Sequence, residues 1–230
     1  MQLVRQGFAG ALILGAAATA VPAAIYTDTT GENFDGNAHM DISSVQVTTD
    51  GTNITFKVNV SAASITSPAD WGKYVIAIDT SNATGDFGSP VGNPWGRNIS
   101  MADGTDAWIG SWVDGGGGFQ PWTYSGGSWT QNGSGAVSIS GNSTTITTTL
   151  ASLGLTNGQT IEFDVYTTGG GGGDSANDSA ANASQTTTGW GGPYTTPVNG
   201  GLVFAIPEPG TLSVLGGLAG LALLRRRRKD

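Results

Sequence analysis

The sequence contains no cysteine, which excludes a disulfide framework, a thiolate metal centre and a cysteine nucleophile. It has a single histidine, His39, and no serine elbow of the G-x-S-x-G kind near it, so a Ser-His-Asp triad lacks its parts. A zinc site would have to be made from that one imidazole and carboxylates, a poor donor set for zinc. His39 therefore reads as a surface or turn residue. Charged residues make up only 11% of the chain, and the Glu and Lys that dress helix surfaces are scarce. No long amphipathic helix is visible.

What is present in abundance is glycine, 38 of 230 residues, together with Ser, Thr and Asn. This is the composition of short strands joined by tight turns. Between Ile25 and Ile206 fifteen acidic residues face only Lys57, Lys73 and Arg97, a local charge of about −12. A polyanion needs a basic face, so nucleic acid is not an expected partner, whereas divalent cations and neutral polymers fit. Asp114–Gly118 and Gly169–Gly173 are glycine runs without the Lys-Ser/Thr of a phosphate cradle, and they read as strand connections.

Both ends carry targeting patterns. Arg5, an apolar stretch from Phe8 to Ala18 and the small residues after it have the form of a cleaved signal peptide over residues 1–24. Ala18-Thr19-Ala20 offers a signal peptidase site after Ala20; cutting after Ala23 or Ala24 is an alternative. At the other end, the fifteen uncharged residues Gly210 to Leu224 would make a transmembrane helix of roughly 22 Å, against a hydrocarbon core of about 30 Å. The basic tail over residues 225–229 (Arg225, Arg226, Arg227, Arg228 and Lys229) would hold that short span with its end in the cytoplasm. Pro207 and Pro209 disfavour helix on either side of Glu208, so this step is expected to be extended and accessible at the outer boundary.

In order and spacing, Pro207-Glu208-Pro209, the Gly/Leu/Ala helix and Arg225 to Arg228 resemble the PEP-CTERM sorting signal of exopolysaccharide-producing Gram-negative bacteria, with Ile206 where that family often has Val. The resemblance covers residues 206–230. It implies recognition by an exosortase at the inner membrane, removal of the helix, and release or attachment at the cell surface or extracellular matrix.

The domain between, residues 25–205, alternates apolar and polar residues with period two. Ile42 to Thr48 and Ile54 to Val60 flank the turn Asp50-Gly51-Thr52-Asn53 and predict a hairpin. Further strands are expected at Tyr74–Asp79, Asp106–Val113, Gln120–Tyr124, Ala136–Ser140, Thr144–Leu150, Thr160–Tyr166 and Leu202–Ala205, with one helical turn near Ala151–Leu155. The fold class is all-β, an antiparallel β-sandwich of jelly-roll type between the two terminal helices, with a closed barrel as the alternative. Asp41 to Val45, Trp71 to Asp79, Asn93 to Arg97, Trp108 to Trp112 and Phe163 to Tyr166 resemble the sugar-binding sandwiches related to family nine carbohydrate-binding modules and DOMON-like domains.

Three acidic groups supply the hard oxygen ligands that calcium prefers: Asp28, Glu32 and Asp35; Asp79, Asn82 and Asp86; Asp174, Asn177 and Asp178. None has EF-hand spacing, and turn capping is the competing account. Glu162 and Asp164 share one side of a strand opposite Phe163 and Val165, which predicts a solvated edge. Of the seven tryptophans, Trp71 and Trp108 read as packing residues. Trp95, Trp122, Trp129 and Trp190, with Tyr124, stand beside loop residues and are candidates for stacking on sugar rings. The expected function is that of an exported, non-catalytic surface or matrix sandwich that contacts polysaccharide. A secreted glycan-active enzyme and an ice- or surface-binding protein built on the Thr144–Thr149 row are the alternatives.

Overall fold

The computed structural model describes residues 23–66, 70–80, 93–184, 187 and 189–208. Residues 1–22 of the expected 1–24 signal peptide, Asn82 and Asp86, Pro209, the expected 210–224 span and the expected basic tail lie outside the described residues. Among the described residues no helix is long and apolar enough to cross a membrane.

The described residues form fourteen strands: β1 (Ala23–Thr27), β2 (Ile42–Thr49), β3 (Asn53–Val60), β4 (Lys73–Asp79), β5 (Ile99–Met101), β6 (Ala107–Trp112), β7 (Gly118–Ser125), β8 (Ser128–Gln131), β9 (Ser138–Ser140), β10 (Ser143–Thr149), β11 (Thr160–Thr168), β12 (Ala176–Ser179), β13 (Tyr194–Thr196) and β14 (Leu202–Ala205). Two antiparallel sheets make the sandwich. One runs β1-β2-β3-β10-β9; the other runs β12-β11-β4-β6-β7-β8, with β14 sharing the free edge of β11. A short parallel pair, β5 with β13, stands apart from both. The only regular turns of helix among the described residues are two 3-10 segments, Ala38–Met40 and Leu150–Leu153.

The nine expected strands are all present, and so is the helical turn near Ala151. The β2–β3 hairpin shows why the alternation worked. Val45, Val47, Ile54, Phe56, Val58 and Val60 are fully buried, while the residues between them face outward. Asp50 holds the turn by accepting hydrogen bonds from the backbone N–H groups of Thr52 at 2.8 Å and Asn53 at 2.7 Å, and Gly51 takes the positive φ of 86° that the reversal requires. Strands β1, β5, β8, β12 and β13 were not legible, because each is short and lies at an edge or in the added layer.

The main core lies between the sheets. There Phe163 of β11 meets Tyr26 edge-on at 5.4 Å and Phe56 at 5.6 Å. A second core covers the outer face of the larger sheet, where Ile99, Met101 and Tyr194 pack with Val75, Ala77, Trp108 and Tyr166. This explains why β4 and β11 are buried on both faces. It also corrects the reading of Asp164. Instead of lying at a solvated edge, it is fully buried beneath the β13 layer, accepting from the hydroxyls of Ser179 (2.7 Å) and Thr196 (2.6 Å). Glu162, on the same side, is half-buried and accepts from the Gly201 N–H at 2.7 Å.

The root of the tail belongs to the fold. Ile206 is a core residue; its N–H donates to the Gln159 carbonyl at 2.8 Å and its carbonyl accepts from Gly158 at 2.9 Å. Pro207 is half-buried and Glu208 exposed.

Replacing Phe163 by Ala should remove about 3–5 kcal/mol of stability, as expected for an aromatic ring deleted from a closed core. Urea denaturation with an unchanged slope would register it as a lower midpoint. A loss below 1 kcal/mol would mean that the two sheets do not meet around this ring.

Candidate functional site

The sequence groups its acids by proximity along the chain, and the fold regroups them. Asp28 leaves the end of β1, Glu32 lies in the following loop, and Asp178 sits on β12, which lines the edge of β11. One carboxylate oxygen from each lies within 4.8 Å of the others. Asp178 is fully buried, and its two oxygens accept from the N–H groups of Ser179 and of Ile42 at the start of β2. Asp28 accepts from the Thr29 N–H at 2.8 Å through one oxygen, while the other is buried without a partner. Both carboxylate oxygens of Glu32 are likewise buried and unpartnered. No basic side chain pairs with any of the three among the described residues, and Asp41, whose carboxylate accepts from Gly31 N–H at 2.9 Å, adds further negative field.

The electrostatic cost shows in the protonation equilibria. Burial, reinforced by Asp28 and Glu32, raises the Asp178 carboxyl to about 8, even though the Ile42 N–H favours its charged form. Burial and then Glu32 raise Asp28 to about 7, and burial raises Glu32 as well. Fully buried Asp164 rises to about 6, again through burial, with four hydrogen bonds opposing the shift. Unpaired carboxylates out of water are unfavourable unless protonated or bound to a cation.

A hard divalent ion fits this donor set. Calcium takes carboxylate oxygens at about 2.3–2.6 Å, so two ligands of one ion stand up to about 5 Å apart. Three oxygens within 4.8 Å of one another can share one such ion, and the unpartnered oxygens of Glu32 and Asp28 could coordinate it.

The other expected metal ligands fall elsewhere. Asp35 is engaged by the side-chain amide of Asn177 at 2.9 Å, which buttresses the acidic loop instead of joining the cluster. Asp174 faces Arg97 at 3.9 Å and caps Gly171 N–H at 2.7 Å. Asp79 is buried at the end of β4, far along the larger sheet from β12, and its expected partners Asn82 and Asp86 lie outside the described residues. Among the described residues the fold brings Asp28 and Glu32 of one expected grouping together with Asp178 of another. Only the chain reversal that lays β12 beside β11 assembles them.

The aromatic candidates divide. Trp122, Tyr124 and Trp129 do flank one turn, since β7 and β8 form a hairpin through Ser125–Ser128, and Tyr124 and Trp129 meet at 5.3 Å. Trp122 and Trp129 also pack on the second core and are half-buried. Trp95 lies flat over the larger sheet: a Cβ on Gly110 would come within 2.2 Å of its indole, so only glycine fits beneath it. Its Nε1 donates to Gln120 at 3.2 Å, and the Arg97 guanidinium stacks 5.7 Å from its ring centre. Trp190 packs in the loop end, between Phe34 and Trp71. Trp108 is buried as expected, whereas Trp71 packs against Trp190 and His39 but keeps part of its ring in solvent. It is 38% exposed.

Two cavities of about 400 and 430 Å³ share Asn132, on the side of β7 and β10. Neither is lined by a member of the acidic cluster. Compared with protein families, curated proteins and solved structures, the chain matches none.

The raised acids set the pH response of the metal-free protein. Their folded values of about 7 and 8 lie above the unfolded value of 3.8, so their contribution is full below about pH 4 and is lost as pH rises through 8. Metal-free protein should therefore melt at a higher temperature at pH 5.5 than at pH 8.5. A calorimetric scan showing the opposite order would mean these carboxylates are not held unpaired.

Proposed function

We propose that this chain is an exported, non-catalytic β-sandwich, delivered by an exosortase to the cell surface or matrix, whose end loops are fastened by a calcium ion and whose partner is polysaccharide. The observation that carries the reading is the set of buried, unpartnered carboxylate oxygens on Asp28 and Glu32 converging with Asp178. Such a site gains most where free calcium is plentiful, which is the exterior and not the cytoplasm. The tail of Pro207-Glu208-Pro209, a short apolar span and Arg225 to Arg228 supports the same destination, as does the N-terminal signal pattern. The absence of cysteine suits a chain that folds outside without redox assistance.

The resemblance to sugar-binding sandwiches supports the polysaccharide partner and the jelly-roll form of the fold. A hydrolase reading is weaker. The unpartnered oxygens of Asp28 and Glu32 and the Asp178 carboxylate are shielded from solvent, out of reach of a glycosidic bond. The Thr face of β10 is interrupted by Lys57, which pairs in register with Thr145 on the neighbouring strand, so the alternative of an ice-binding array is weaker too.

Calcium should raise the melting temperature at pH 7.5, by an amount corresponding to about 2.7 kcal/mol at a hundredfold excess over its dissociation constant. Glu32→Gln together with Asp28→Asn should raise the metal-free melting temperature and abolish the calcium response. A melting curve indifferent to calcium and to chelator would refute the cation site. The sorting reading is tested by the mass of the mature protein in a host that contains the exosortase. Leu212 to Arg228 should be missing there and retained when the enzyme is deleted; retention in both refutes it.

A further inference from the structure

We propose that the loop end beside the acidic cluster is a platform for neutral polysaccharide, with Trp71 as its stacking surface, and that the cation at Asp28, Glu32 and Asp178 fixes the shape of that platform. This rests on the cation and polysaccharide readings above and adds to them the stacking residue and the charge of the polymer.

Four rings stand in series there. Phe34 meets Trp190 edge-on at 4.7 Å, Trp190 meets Trp71 at 5.6 Å with the planes tilted by 58°, and Trp71 meets His39 at 5.9 Å. Both ends of the series belong to the acidic loop. Phe34 lies between Glu32 and Asp35, and Asp35 is itself tied to Asn177, the neighbour of Asp178. His39 lies in the 3-10 turn that closes the loop, where its carbonyl accepts from the Tyr74 hydroxyl at 2.6 Å and its Nδ1 faces Asp70 at 3.4 Å. A Cβ on Gly72, next to Trp71, would come within 3.2 Å of the Met40 side chain on that same turn, so the two segments approach closely there. Any ion that orders the 28–41 loop therefore orders the supports of Trp71.

Trp71 is the one aromatic among the large apolar side chains left exposed in the described residues, the others being Ile25, Val198 and Val203. Leaving an indole in water forgoes burial free energy, while packing it on two sides removes its rotamer freedom in advance of any ligand. A rigid, accessible indole is suited to the apolar C–H face of a pyranose ring. The charges narrow the class. Lys73 is paired with Asp114 at 2.6 Å, and Arg97 is buried 3.9 Å from Asp174, so neither cation is presented to a ligand at this end. With those two pairs balanced and Asp70 beside the His39 imidazole, this end carries no net positive charge to attract a uronate or phosphate polymer. A neutral sugar polymer needs no such charge.

The test is native affinity electrophoresis of the purified full chain through gels containing hydroxyethylcellulose, xylan, dextran or alginate, with calcium or with chelator, below the melting temperature. At least one neutral polymer should retard the protein in calcium and alginate should not. Trp71→Ala should weaken the retardation about tenfold or more, the scale of losing one central aromatic contact, and Trp71→Phe should lose less. Chelator and the Glu32→Gln variant should weaken it while the protein remains folded by circular dichroism. Retardation by alginate alone, by none of the neutral polymers, or undiminished in a folded Trp71→Ala variant overturns the platform. A calcium-dependent melting temperature alongside any of these results leaves the cation site standing; its absence removes the cation site itself.

Discussion

The joint that the rest of the molecule depends on is Asp178. Its carboxylate lies in the dry seam where β12, the start of β2 and the acidic loop come together, and it accepts from Ile42, 136 residues earlier in the chain. That bond links an edge strand of the larger sheet to the second strand of the smaller one. A neutral side chain could not hold both Ser179 and Ile42 N–H groups so well, but a charged one carries a desolvation penalty. The same atom that ties the sheets together creates the demand for a cation beside it.

The consequences spread outward from this seam. Because β12 and β14 share the free edge of β11, the last strand and the root of the C-terminal tail are built into the same sheet as the acidic cluster. Ile206 is locked into the core, so little free chain separates the sandwich from Pro207. On the outer face, the β5–β13 layer buries Asp164 among hydroxyls donated by Thr196 and Ser179, a polar network inside an apolar cover. Fully satisfied networks of this kind specify one arrangement more than they add stability.

Glycine has two distinct uses here. At Gly51 it permits a left-handed turn that a side chain would strain. At Gly110 the backbone is ordinary, and what matters is the empty space that lets the Trp95 indole lie on the sheet. Composition alone does not separate these uses, since both register only as glycine between strands.

The alternation of residues 42–60, the Asp50 turn and the apolar runs of 74–79 and 160–166 are local signals, and they determined the strands, the turn and the all-β class, because a period of two survives whatever the strand packs against. Which carboxylates meet was not local. Asp35 reads as a partner of Asp28 and Glu32, and Asp174 as a partner of Asp178, yet the pairing of β11 with β12 chose Asp178 for the first group and turned Asp174 toward Arg97. Nor was it local that Asp164 is buried and Trp71 is exposed. Alternation says which side of a strand a residue takes, but only the layers stacked on that side decide whether it meets water.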